Sequence, residues 1–178
     1  LRMLHGHFQA AEQPLRDALD LAGTDSPASV WAKGWMMFCL YLQEKHGRVQ
    51  HEARDLAEYA RNPAMRQVSH LRLILALSHL ALGQTRRGTE MLSTVGRARG
   101  LWGEAALAIL EKTPAACWED LPVGANPLTE ALFLVGEGHA RLGDDDLACE
   151  YFEACDRHPS GRAMTRRIAQ LRLDERRG

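Results

Sequence analysis

One pattern constrains this chain more than any other. A glycine is followed about five positions on by a small residue, then by an apolar residue four later and a small one three beyond that. It reads as Gly6, Ala11, Leu15, Ala18 and as Gly143, Ala148, Phe152, Cys155; Gly47, Ala53, Ala57, Ala60 carries one extra residue before the first small position. Steps of four and three keep these side chains on one helical face. The glycine supplies the left-handed conformation that ends a preceding helix. The small residues let the next helix approach closely, so each copy reads as a helix–turn–helix.

The rest of the chain agrees. No segment sustains period-two alternation, whereas apolar residues recur at three- and four-residue steps, as in Leu71, Ile74, Leu75, Ser78 and Leu82. Gly6, Gly47, Gly83, Gly100 and Gly143 are expected to stop helices, and Pro27, Pro63, Pro127 and Pro159 to mark boundaries. Helices are expected over 7–22, 28–46, 49–61, 64–82, 85–95, 101–112, 127–142, 144–157 and 162–176. The stretch 113–126 is read as a short helix plus loop. Long amphipathic helices on short links favour antiparallel neighbours.

Charge and cysteine usage narrow the function. The formal net charge of −1 gives no overall attraction to nucleic acid or an anionic membrane. The basic residues are mostly Arg, with Lys only at 33, 45 and 112, which reads as a bacterial, GC-rich coding bias. Cys39, Cys117, Cys149 and Cys155 form no CxxC pair and no zinc-ligand spacing, so buried free thiols in a reducing cytoplasm are expected. The longest apolar run, Leu71 to Leu82, is broken by Arg72, Ser78 and His79 and falls short of a membrane span of about 20 residues. The chain opens at Leu1 directly in a helical pattern, as expected of a piece of a longer protein that begins part-way through a repeat.

These features resemble the tetratricopeptide repeat (TPR). The fullest copy spans 129–162, with Leu132, Val135, Gly136 and His139 on the first helix, then Gly143, Ala148, Phe152, Cys155 and Pro159. Weaker copies centre on Gly47 and Gly83. In the latter, Arg72 replaces a large apolar residue and Gly88 takes the small position. The resemblance implies an all-α, right-handed solenoid of antiparallel helix pairs over 1–178, irregular at 113–126 and closed by a C-terminal capping helix. Met164, Ile168 and Leu171 would form that helix's inward stripe.

In this family the first helix of each pair lines a concave groove that grips partner segments. Carried over residue by residue, the inward positions are Met37, Tyr41, Glu44 and Lys45, then Leu73, Leu77, Leu80 and Ala81, then Phe133, Glu137, Ala140 and Arg141. Relatives that clamp a carboxylate place Lys, Asn and Arg at such sites. The largely apolar set here implies an amphipathic helix or apolar peptide instead.

Other candidates are weaker. His79 and His139 hold equivalent repeat positions, where a packed imidazole is favoured over a metal or pH-sensing pair. His5 and His7 lack the spacing of a metal site, and His46 and His51 straddle a turn near Glu44 and Glu52 where metal binding is disfavoured. Asp144, Asp145 and Asp146 suit helix capping better than calcium. The C-terminal arginines read as a solvated outer face rather than a nucleic-acid surface. Glu130 and Glu137, seven apart, suit recognition more than acid–base catalysis, and no phosphate loop, GxSxG or HExxH motif is present.

The sequence therefore predicts a cytoplasmic protein–protein interaction scaffold in a bacterial regulatory or assembly protein. It is expected to be neither an enzyme nor a cofactor, metal, membrane or nucleic-acid binder. A homo-oligomerisation element is the alternative.

Overall fold

The computed structural model describes residues 2–22, 26–54, 68–118, 124–158 and 161–178. Those residues form helices α1 (Arg2–Ala22), α2 (Pro27–Leu42), α3 (His46–Glu52), α4 (Val68–Ala81), α5 (Thr85–Gly96) and α6 (Leu101–Glu111). Beyond them lie a 3-10 helix (Ala115–Trp118), α7 (Ala125–Leu142), α8 (Asp145–Arg157) and α9 (Ala163–Arg177). There is no strand among the described residues. The expected all-helical class holds. Packing divides the chain into two compact units, Leu1–Met91 and Leu92–Gly178, with the division inside α5.

Three turns share one hydrogen-bond pattern. The amides of Lys45, Gln84 and Asp144 each donate five residues back, to the carbonyls of Leu40, His79 and His139, at 2.9 Å. The amides of Glu44, Gly83 and Gly143 donate three residues back, to Tyr41, Leu80 and Ala140. This is the Schellman cap, in which a left-handed residue turns the chain so that two orphan carbonyls are satisfied. That residue is Glu44 (φ 59°), Gly83 (φ 71°) or Gly143 (φ 83°).

The shared register aligns the helices that leave these turns. Five residues after the left-handed position come Val49, Gly88 and Ala148, all buried, and nine after it come Ala53, Leu92 and Phe152, also buried. The first of these positions sets how closely the helices approach. A Cβ on Gly88 would sit 2.5 Å from Leu80, so the absence of a side chain is what seats Leu80 there.

A fourth, incomplete turn ends α6. Lys112 is left-handed (φ 55°) and the Thr113 amide donates to the Ala108 carbonyl at 3.1 Å. Pro114 and the 3-10 helix come next. The irregular segment thus begins as another repeat turn, and residues 119–123 lie outside the described set.

This register corrects several expectations. Gly6 lies inside α1, which also runs through Pro14, so no turn forms there. Gly47 lies in the first turn of α3; the chain reverses three residues earlier, at Glu44. That shift explains the extra residue before Ala53: counted from Glu44 the spacing matches the other copies. Gly100 (φ 103°) precedes α6 rather than ending α5. Pro27 starts α2 as expected, behind the Ser26 hydroxyl, which accepts from the Ser29 amide at 3.1 Å. Pro63 and Pro159 lie outside the described residues, as do Ala57 and Ala60.

In the first unit α2 packs on α1, α3 and α4, and α3 on α4. It is buried nearly all round, through Val30, Met36, Met37, Leu40 and Leu42 among others. In the second unit α7 packs on α6, α8 and α9, and α8 on α9. Contacts between α7 and α8 run antiparallel: Cys155 Sγ donates to the Thr129 carbonyl, Phe152 meets Phe133, and Tyr151 stacks on His139. Gly136 makes room for Phe152, whose ring would lie 2.7 Å from a Cβ there.

The left-handed positions predict opposite signs for two substitutions. Glu44→Gly removes a side-chain penalty of about 1 kcal/mol, and Gly143→Ala introduces one of similar size. Urea unfolding monitored by circular dichroism should show a raised midpoint for Glu44→Gly and a lowered one for Gly143→Ala. Shifts of the same sign would contradict the equivalence of the two turns.

Candidate functional site

The residues expected to line a groove are mostly inside. Met37, Tyr41, Leu73, Leu77, Leu80, Phe133 and Glu137 are each at most 5 % exposed, and Glu44, Lys45, Ala81, Ala140 and Arg141 keep part of their surface. They also fall in different units: those from Met37 to Ala81 in 1–91, and those from Phe133 to Arg141 in 92–178. Tyr41 packs on His46 with ring centroids 5.2 Å apart, and Phe133 on Phe152 at 5.8 Å. A partner would reach these side chains only by displacing part of the chain. They hold the helices together as packed here.

Glu137 shows why in detail. Arg172 of α9 donates to it through Nε at 2.6 Å, and Arg141 approaches at 3.5 Å. Arg172, itself buried, also donates to Glu175 at 3.1 Å. Two helical turns back along α7, Glu130 meets Arg162 at 3.1 Å. Burial pushes the Glu130 carboxyl above its ordinary range, and Arg162 only partly offsets this. Glu130 and Glu137 therefore clip α9 and its approach segment to α7.

The stripe expected on α9 is correspondingly rotated. Its buried residues are Thr165, Ile168, Ala169, Arg172 and Leu173, while Met164 is 44 % exposed and Leu171 half-buried. The other C-terminal arginines are also engaged: Arg166 donates to the Asp156 carbonyl, Arg176 lies over the Phe152 ring, and Arg177 donates to Glu153. A solvated arginine face is thus only part of the picture.

The first unit holds a comparable polar seam. Glu12 of α1 meets Lys45 at 2.9 Å and Arg48 at 2.8 Å, and buried Lys33 meets Glu52 at 3.0 Å. Burial raises the Glu12 carboxyl, but hydrogen bonds from Lys45, Arg48 and Gln43 outweigh it and hold it below its ordinary value.

His79 and His139 do occupy one turn position. His79 Nδ1 shares short contacts with Gln84 (2.6 Å) and Gln50 (3.0 Å). His139 is buried, stacked on Tyr151, and 3.8 Å from Asp144. Burial lowers the basicity of His139 more than Asp144 restores it. Asp144 does not cap α8 with its side chain; Lys112 takes that carboxylate at 2.7 Å instead. No group of three or more potential metal ligands occurs among the described residues. No helix among them is long and apolar enough to cross a membrane.

All four thiols are free, with Cys39 and Cys155 buried, Cys149 half-buried and Cys117 exposed. Cys117 departs from the expectation of buried thiols. Burial pushes Cys39 up to about 11 and Cys155 up to about 12, so neither is a reactive thiolate.

Sequence reading missed an aromatic ladder on α2. Trp31, Trp35 and Phe38 stack edge to face with centroids 6.0 and 5.9 Å apart. Its inner end, Phe38, is buried, and its outer end, Trp31, is 54 % exposed. Leu21, near the end of α1, is 89 % exposed. The four- and three-residue spacing was the available signal, but α2 is apolar on every side and offers no face to single out. No family model matches the sequence, and neither a curated protein nor a solved structure matches it.

The Glu137–Arg172 pair makes a direct prediction. Replacing either residue alone by Leu should cost about 3 kcal/mol, because an ion remains in a buried site. The double replacement should recover much of that, giving a coupling energy of about 1–3 kcal/mol in a double-mutant cycle by urea unfolding. Additive losses would mean that the two side chains do not act as a pair.

Proposed function

We propose that this chain is a protein-binding module of tetratricopeptide-like helix pairs that takes an apolar or amphipathic segment of a partner, with Trp31 as its contact centre. The observation that carries this reading is the Trp31–Trp35–Phe38 ladder. An indole held edge to face from below and half-exposed above is already ordered, so little side-chain freedom is lost on contact. Tryptophan is also the residue type most enriched where truncation hurts binding. The residues first expected to form a groove then serve as the packed base of the helices, and binding falls to the surface they leave exposed.

The accompanying setting is a cytoplasmic regulatory or assembly protein of bacterial origin. Free, partly buried thiols and an arginine-rich composition support it. The role is binding without catalysis. A second copy of the chain is the alternative partner, favoured by the same exposed Trp31 and Leu21.

Amphipathic helical peptides selected from a displayed library against the full chain test the reading. Trp31→Ala should weaken their binding about tenfold or more while costing the fold only about 1–2 kcal/mol, the loss of one edge-to-face contact and half an indole's burial, so that the variant stays folded. Selected peptides that bind Trp31→Ala as tightly as the parent would sink the assignment. Sedimentation over a concentration series separates the two partners, since a strict monomer excludes self-association.

A further inference from the structure

A cleft of about 260 Å³ opens in the second unit between the 3-10 helix, α7 and α8. Trp118, Leu128 and Leu132 form its apolar walls, and each is buried although it borders open space. The small side chains of Ala115 and Ala154 leave the volume unfilled. The walls are firmly set. Trp118 packs edge-on against Tyr151, whose hydroxyl donates to the Thr113 carbonyl at 2.9 Å.

Among the described residues two polar side chains, Arg157 and His158, also line it. Arg157 is largely exposed and only 3.5 Å from Glu153, a carboxylate that also receives Arg177. Among the described lining residues Arg157 is the one charged side chain, and no carboxylate lines the cleft. His158 Nδ1 is buried and lacks a hydrogen-bond partner among the described residues. The cleft lies where α7 begins and α8 ends, so the opposite helix-end charges offset one another. The side chains therefore set the sign.

We infer that this cleft is an anchor site for one large apolar side chain of a partner peptide, with a carboxylate beside that side chain received by Arg157. The inference rests on the protein-binding reading above and adds a second, chemically specified contact. The volume is below the roughly 300–1,000 Å³ of small-molecule sites, so a single side chain fits better than a cofactor. Charge complementarity then selects acidic over basic neighbours.

Three dipeptide probes test it by NMR on the full chain: N-acetyl-phenylalanyl-glutamate amide, its phenylalanyl-lysine counterpart and its alanyl-glutamate counterpart. The first should shift the Trp118 indole and the Leu128 and Leu132 methyl resonances saturably. It should bind about three- to fivefold more tightly than the lysine probe, the size expected of an exposed ion pair. The alanine probe should produce no saturable shift. Arg157→Glu, on an exposed position, should reverse the glutamate–lysine preference, and Ala154→Phe should fill the cleft and abolish the shifts. Absence of a saturable Trp118 shift, or an unchanged preference in a folded Arg157→Glu variant, overturns the anchor site. If Trp31-dependent peptides still bind, only the cleft assignment falls; if they do not, the binding-module reading falls with it.

Discussion

A left-handed residue at the end of a helix reverses the chain within a few positions and leaves little choice about where the next helix starts. In this protein that constraint occurs at Glu44, Gly83 and Gly143, each with the same pair of returning hydrogen bonds. The register of each succeeding helix is counted from it. Val49, Gly88 and Ala148 come to the same buried position, and the side chain there sets how near the helices lie. Lys112 repeats the turn but leads into Pro114 and a 3-10 helix. The segment after Lys112 therefore starts from part of the same turn before Pro114 and the 3-10 helix depart from it.

The second determinant is where buried charge goes. Desolvating a carboxylate is costly unless a partner and hydrogen bonds compensate it. On α7 that compensation comes from α9, through Arg172 on Glu137, with Arg162 on Glu130. The inner face of α7 is thereby committed to the chain itself, and Phe133 and Glu137 are withdrawn from solvent. The proposed contacts lie elsewhere, on the outer end of the α2 ladder and in the cleft beside Trp118. Both combine an ordered aromatic with exposed surroundings.

Much of the fold was legible because helical periodicity and glycine punctuation are local signals. Gly83 and Gly143 announce their turns, and the helix limits around them match expectation closely, whereas the helix expected over 28–46 runs past Leu42 through the Glu44 turn and α1 starts earlier than expected. Glu44 and Lys112 did not announce theirs, because a non-glycine residue in the left-handed region leaves no mark in composition. Gly6 and Gly47 misled for the converse reason: a glycine costs a helix only about 1 kcal/mol and does not by itself end one. The site was less legible. Whether Met37 or Leu77 faces solvent depends on which helix docks beside it, and that is not written in one helix's periodicity. Arg172 looked solvent-facing because Met164, Ile168 and Leu171 mimic a stripe, yet its partner Glu137 is thirty-five residues away. The unmatched buried carboxylate was a signal that only three dimensions could resolve.

Backbone ¹³C chemical shifts of Glu44 and Gly47 are the most direct test of the shared turn. Glu44 should show the shifts of a left-handed residue, as Gly83 and Gly143 should, while Gly47 shows those of a right-handed helix. Helical shifts at Glu44 together with a positive φ at Gly47 would move the turn by three residues and dissolve the common register.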